Sequence, residues 1–224
     1  MIKNISNLGD TALYCDFGNE VNKSINSQVI KYFKTIKEKK VKGINNLTPS
    51  YNKLIISYDL KQTNFNEVKK NIENLNFETS LKLNTKRIEI PVCCHESLSL
   101  DVKRLEKILN LSRDKILENF LNKEYFCYMT GFIAGMPFLG DLDQNMRAQR
   151  LETPRVKVPK GSVGLTEQFA NIYTFESPGG WNIFGNTPVK VFDSSLEDEP
   201  TLINPGDTVT FKEISLDQYK NYNE

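Results

Sequence analysis

The chain has 224 residues, 39% hydrophobic and 25% charged, and its 29 Lys and Arg nearly cancel its 28 Asp and Glu, leaving a net charge of +1. That length holds one large or two small domains, and the near-zero charge removes the electrostatic basis for a nucleic-acid or anionic-membrane partner. No apolar run reaches the length of a membrane span and the first residues, MIKNISNLGD, lack the apolar core of a signal peptide. Cys15, Cys93, Cys94 and Cys127 show no CxxC or disulfide-framework spacing, so a cytoplasmic protein is expected.

In chain order, Leu13, Cys15 and Phe17 alternate with more polar neighbours, as one face of a strand does. Asn19 or Asn22 can cap a helix whose apolar positions Val21, Ile25, Val29, Phe33 and Ile36 step by three or four; Lys37 to Lys40 suit its end and Gly43 stops it. Ile44 to Leu47 and Leu54 to Tyr58 follow as strands on either side of Pro49 and Ser50. Asn64 then caps a second helix, with Glu67 placed as in a capping box and Phe65, Val68, Ile72 and Leu75 as the buried stripe. Ile88, Ile90 and Val92 alternate as a closing strand. Strand, helix, two strands, helix, strand is the split βαβ plan, so residues 1–92 are expected to form a ferredoxin-like α+β domain.

Residues 93–224 are expected to form a helical linker, packed on the barrel, and a β-barrel. Val102, Leu105 and Leu109 line one helix between Leu98 and Asn110; Ile116, Leu117 and Phe120 line another, capped by Ser112. Cleavage between Cys94 and Asn122 would then leave two folded pieces. Tyr125 to Phe132 forms a strand. Short strands follow at 156–158, 163–165, 172–175, 181–184, 189–192 and 209–211, and the acidic 196–199 segment is a solvated loop.

The stretch 131–192 holds eight of the 12 glycines, five of the nine prolines and the only tryptophan. Glycine supplies positive φ or close backbone approach, so this density marks tight turns and a candidate binding surface carrying Phe132, Met136, Phe138, Arg155, Lys160, Glu176, Ser177, Pro178, Gly179, Gly180 and Trp181. Trp181 divides between barrel core and partner surface. Arg155 and Lys160 can bind phosphate or stand on a soluble strand face. Glu176 can orient a substrate ammonium or an arginine, or simply stabilise a turn. No GxxxxGK[ST] or GxGxxG motif occurs. The segment CCHE (93–96) offers thiols, an imidazole and a carboxylate. Adjacent side chains on a strand point to opposite faces, which argues against both a metal site and a Cys93 or Cys94 nucleophile activated by His95, so no metal is expected and the catalytic residues stay unassigned.

GFxxGxPFLG at 131–140, TPRxxVPxGSVG at 153–164 and ESPGGWxxxGxTPxxxFD at 176–193 resemble the signature run of the 5-oxoprolinase B subunit, a family that also holds allophanate hydrolase subunit 1 and a sporulation-kinase inhibitor. Fainter matches at 9–13, 49–59, 90–93 and 204–211 extend the resemblance over nearly the whole chain. It implies a cyclophilin-like barrel, a related barrel partner of the C-subunit type, a third component of the A-subunit type, and ATP-dependent opening of 5-oxoproline with ATP and Mg²⁺ bound in the assembled complex. A regulator that holds a histidine kinase and an allophanate hydrolase component are the alternatives it implies. The chain departs from the family pattern at Asn119, Ala134, Met136 and Asn186, in CCHE, and in FANIYT at 169–174. Such exchanges alter hydrogen bonding, so they bear on activity more than on fold.

Overall fold

The computed structural model describes residues 2–75, 85–197 and 199–222. Two compact units divide the chain, Met1–Asn84 and Thr85–Glu224. Of the acidic loop expected at 196–199, residue 198 lies outside the described residues; Leu196, Glu197 and Glu199 are exposed.

In the first unit, strands β1 (Asn4–Asn7), β2 (Ala12–Asp16), β3 (Ile44–Pro49) and β4 (Lys53–Tyr58) form an antiparallel sheet in the order β1-β2-β4-β3. Two helices, α1 (Lys23–Lys39) and α2 (Phe65–Glu73), bury their apolar stripes with it. The alternating face is as the sequence implies. Leu13 sits opposite Ile56 and Cys15 opposite Leu54, and all four are buried. Asn22 Oδ1 accepts from the Ile25 amide at 2.9 Å and Asn64 Oδ1 from the Glu67 amide at 3.1 Å, so both helices start at their expected caps. The capping box is not completed, because the Glu67 carboxylate accepts from the Thr63 hydroxyl instead. Strand β1, the polar NISN, carries no alternation and forms because the edge of β2 offers it a ladder.

The second unit contains β5 (Arg87–Val92), α3 (Val102–Leu109), α4 (Arg113–Leu121), β6 (Tyr125–Thr130), β7 (Pro137–Gly140), a 3₁₀ turn (Gln144–Met146), β8 (Arg155–Val158), β9 (Ser162–Thr166), β10 (Phe169–Ile172), β11 (Ser177–Gly179), β12 (Asn182–Asn186), β13 (Thr208–Glu213) and α5 (Leu216–Lys220). Seven strands run in the order β12-β9-β10-β7-β6-β13-β5, and β8 and β11 pair as a separate ribbon. The two end strands meet: Cys93, just past β5, exchanges backbone hydrogen bonds of 2.8 and 3.0 Å with Asn186 of β12. One bridge therefore closes the sheet into a barrel.

Two expectations are corrected here. Residues 87–92 do not complete the first unit's sheet. They pair in parallel with β13, Ile88 beside Val209 and Ile90 beside Phe211, over a core that alternation alone cannot tell from a nearer one. The two helices pack on the barrel as expected, Leu105, Ile116, Leu117 and Phe120 joining Tyr125, Phe184 and Phe211 in its core. The strand expected at 172–175 ends at Ile172, and the 189–192 strand is reduced to a single bridge from Phe192 to Thr201.

Asn186, one of the departures from the family pattern, is part of the closure. Its amide donates to the Lys160 carbonyl at 2.9 Å and its side-chain oxygen accepts from the Tyr219 hydroxyl at 2.8 Å, tying turn, seam and C-terminal helix together.

Candidate functional site

The Gly179–Gly180–Trp181 turn leads from the β8/β11 ribbon into β12, and it is shaped by close approach. A Cβ at Gly179 would stand 2.1 Å from the Tyr173 hydroxyl, so no other residue fits without displacing that phenol. Gly164 on β9 behaves alike: its added Cβ would lie 2.9 Å from Asn171 Oδ1. Trp181 is 8% exposed and meets Phe138 edge to face at 5.6 Å, inside a cluster with Met136, Val158, Tyr173 and Ile183. It is therefore a core side chain of this unit.

Arg155 lies across the ribbon from Gly179 and reaches Asp101, with Nη2 2.5 Å from Oδ1. The second Asp101 oxygen accepts from the Ile183 amide at 2.7 Å, so one carboxylate joins the start of α3, β12 and β8. Arg104 of α3 adds a hydrogen bond to Asn182 of β12. Among the described residues, two buried polar atoms here have no partner, Arg155 Nη1 and Asn171 Oδ1. The Tyr173 phenol is buried against Gly179. Burial raises its pKa, while hydrogen bonds from the Asn171 side chain and the Trp181 backbone and the charges of Arg150 and Arg155 pull it partway back. Arg150 also borders Gly180, its guanidinium 3.5 Å from where a Cβ would be.

The other expected site residues scatter. Met136 is buried in the turn, its carbonyl accepting from the Gly131 amide at 3.0 Å. Phe138 is half-buried, Ser177 is buried and Pro178 is exposed. Phe132 is 69% exposed and holds a left-handed φ of 71°. Glu176 is exposed and pairs with Lys157 at 3.0 Å, which fits its role as a surface acceptor rather than a site group. Lys160 occupies a separate exposed turn. Arg155 is committed to a buried carboxylate and Lys160 lies in another turn, so these residues do not fit a nucleotide phosphate. Of the family departures, Ala134 is exposed and Asn119 half-buried, its amide 3.8 Å from the Met146 sulfur. Sequence reasoning missed Asp101, Arg150, Asn171 and Tyr173. Asn171 carried the one usable signal, a polar residue at an inward position of a strand.

In CCHE the thiols and the imidazole part company. Cys93 and Cys94 are buried, and burial pushes the Cys94 thiol up to about 12, so it is protonated at neutral pH and poor as a nucleophile. His95 is exposed, with Nδ1 2.9 Å from the Ser97 hydroxyl. His95→Ala is expected to shift unfolding free energy by no more than about 0.5 kcal/mol, and elemental analysis to show no stoichiometric zinc or iron. Near-equimolar metal that vanishes in the variant would refute this. A groove of about 430 Å³ in the first unit is lined by Phe33, Ile36, Val41, Ile44 and Leu47 with Lys37 and Lys40. It brings no acid–base pair or nucleophile together.

A closed barrel carrying two flanking helices, preceded by a four-stranded α+β unit, defines the class to which the chain belongs: the family described as carboxyltransferase domain, subdomain C and D, which matches residues 3–203. Within it, the chain is 33% identical to the 5-oxoprolinase B subunit of Bacillus subtilis (strain 168), over 98% of this chain and 96% of that protein. It is 21% identical to urea amidolyase of Saccharomyces cerevisiae, covering 92% of this chain but 13% of that one. The crystal structure of TTHA0988 superposes with a TM-score of 0.82 at 28% identity, covering 91% of this chain. The chain spans 40% of the length of that polypeptide. No helix among the described residues is long and apolar enough to cross a membrane.

Proposed function

We propose that the chain is the B-subunit component of an ATP-dependent 5-oxoprolinase, acting with partners of the C-subunit and A-subunit types to open 5-oxoproline to glutamate. The observation that carries this reading is similarity to the 5-oxoprolinase B subunit along almost the full length of both chains. The first unit is then a variant of the ferredoxin-like plan that uses β1 as an edge strand, and the second a cyclophilin-like barrel. ATP and Mg²⁺ are assigned to the assembled complex, in keeping with the poor fit of Arg155 and Lys160 to a phosphate. The cytoplasm is the expected compartment.

In this reading the barrel offers a partner its exposed apolar side chains, Phe132, Val156 and Phe175. The turn bearing Phe132 is tied to the segment bearing Phe175 by a 2.6 Å hydrogen bond from the Thr174 hydroxyl to the Ala134 carbonyl. Trp181 packs in the buried cluster against Phe138 rather than docking itself. The urea amidolyase similarity favours one second reading, a component acting on urea or allophanate.

Mixing the purified chain with its two partners is expected to produce ATP-dependent glutamate, while the chain alone with ATP and Mg²⁺ produces none. Phe132→Ala is expected to weaken assembly by about 1–2 kcal/mol, as for an exposed aromatic at an interface. Turnover by the isolated chain would overturn the proposal. So would preferential hydrolysis of allophanate by the complex, or failure to bind either partner together with inhibition of a histidine kinase.

A further inference from the structure

We propose that the groove between the end of α1 and the edge of β3 docks an extended, acidic segment of a partner protein, which adds to the first unit's sheet as a strand beside β3. β3 is the last strand in the order β1-β2-β4-β3, so one side of its backbone has no ladder partner among the described residues. An unpaired strand edge is a template for another chain. Beside this edge lies the groove of about 430 Å³, floored by Phe33, Ile36 and Val41 from the helix and the turn after it and by Ile44 and Leu47 from β3. Ile36 is buried in the core, whereas Phe33, Val41, Ile44 and Leu47 pack against that core and stay half-buried. The apolar core of the first unit is thus left open along one edge, where an added strand would close it.

Charge selects the occupant. Residues 31–42 carry six lysines against one acid, Glu38, a net charge of +5 in a chain whose total is +1, which leaves −4 for the rest. Lys37 and Lys40, both exposed, stand on the rim of the groove. Lys37 and Lys39 in the last turn of α1 complement the helix dipole, but a dipole asks neither for six lysines nor for four apolar side chains left half-buried beside them. A second copy of this chain laid edge to edge would bring another cluster of the same sign to the same place. A membrane surface needs apolar groups that project, and here they are recessed: the exposed large hydrophobics of this unit, among the described residues, are Leu8 and Leu60, which do not line the groove. Nucleic acid would use the lysines and leave the apolar floor wet. An acidic strand meets every feature: its backbone pairs with β3, apolar side chains at alternate positions enter the groove, and carboxylates at its ends face the lysines. The bulge between Ile44 and Asn46, and Pro49 with no N–H, bound the usable edge on both sides, so the ladder is short and the groove supplies the rest of the affinity.

The probe is a fluorophore-labelled peptide, Glu-Asp-Val-Thr-Ile-Thr-Val-Asp-Glu, titrated with the full chain and followed by polarisation. Saturable binding that weakens as salt is added is expected. The same peptide with every acid replaced by Lys, and the acidic peptide with alternate backbone amides methylated, are both expected not to bind, the first for its charge and the second for its lost ladder. The double variant Lys37→Glu/Lys40→Glu changes two exposed side chains, and with its fold verified by the unfolding midpoint it is expected to bind about tenfold more weakly. Lys69→Glu, beside β1 at the opposite edge of the sheet, is expected to change nothing. Hydrogen exchange of the amides in residues 44–49 is expected to slow when the acidic peptide is bound. Absence of saturation, equal binding of the lysine peptide, unchanged binding in Lys37→Glu/Lys40→Glu, or binding without slower exchange at 44–49 would overturn the proposal. So would a dimer of the free chain in which those amides are already protected, because a second copy would then hold the edge. Preference for decanoate or for phosphatidylserine vesicles over the acidic peptide would also overturn it, since the groove would then serve an acyl chain or a lipid surface and not a strand.

Discussion

Asp101→Ala is expected to destabilise the second unit by about 3 kcal/mol, at the lower end of the range of roughly 3–5 kcal/mol for breaking a buried ion pair. The Asp101 side chain is only 5% exposed and accepts from both Arg155 and the Ile183 amide. Removing it leaves a guanidinium and a backbone N–H unpaired in the same place, beside an Nη1 that already lacks a partner. The lower end applies because Arg155 is 28% exposed and water can solvate part of its charge. Asp101→Asn keeps an acceptor for the Ile183 amide and is expected to lose only about half as much, because what it removes is the charge on the hydrogen bond to Arg155. Urea denaturation followed by Trp181 fluorescence measures both. A midpoint shift in Asp101→Ala worth less than about 1 kcal/mol at unchanged slope would show that the pair is solvated and that Arg155 is not held.

Phe120→Ala is expected to have the largest effect on stability, a loss of about 3–5 kcal/mol from the second unit. Phe120 is fully buried, and its ring lies 4.3 Å from that of Phe184 and 4.9 Å from those of Tyr125 and Phe211. It plugs the barrel from α4, and the Tyr125 hydroxyl donates to its carbonyl at 2.9 Å, so the cavity left behind has little freedom to collapse. The consequence for proteolysis reverses the expectation drawn from sequence. Because α3 and α4 are built into the barrel core, cutting between Cys94 and Asn122 requires the second unit to unfold, and that cleavage is expected to become fast only in Phe120→Ala. Cleavage of the wild-type chain there under native conditions, leaving a folded barrel, would refute the placement of α4.

What was legible in the sequence was what neighbours in sequence decide. Asn22, Asn64 and Ser112 cap their helices because a cap is an affair of three residues, and the last accepts from the Lys115 amide at 3.3 Å. Leu13, Cys15 and Phe17 faced the core as alternation requires. The signature glycines and prolines at 131–192 carried the family, and with it the barrel, because their turns demand those residues wherever the fold occurs.

Arg155, Trp181 and the two glycines before it stand out as a candidate surface by residue type alone, and the structure packs Gly179 and Trp181 with Tyr173 and pairs Arg155 with Gly179. Their partners were not legible. Asp101 and Arg155 are 54 residues apart in the chain, and nothing in SLSLD at 97–101 marks the last residue as the anchor of a guanidinium.

The sequence by itself thus determined the local elements, the caps and the family, since each depends on backbone preference and periodicity within a few residues. The tertiary structure decided which sheet each strand joins. Residues 87–92 satisfy an alternating pattern equally well in either unit, and only the parallel ladder with β13 and the Cys93–Asn186 bridge settle that they close a barrel. It also decided the chemistry of the interior. A polar Asn171 in FANIYT weakens a strand read by periodicity, and only when β10 pairs with β9 on one side and β7 on the other does its side chain become a fully buried acceptor. Periodicity is a property of one segment, whereas an unpaired buried atom is a property of every segment packed around it.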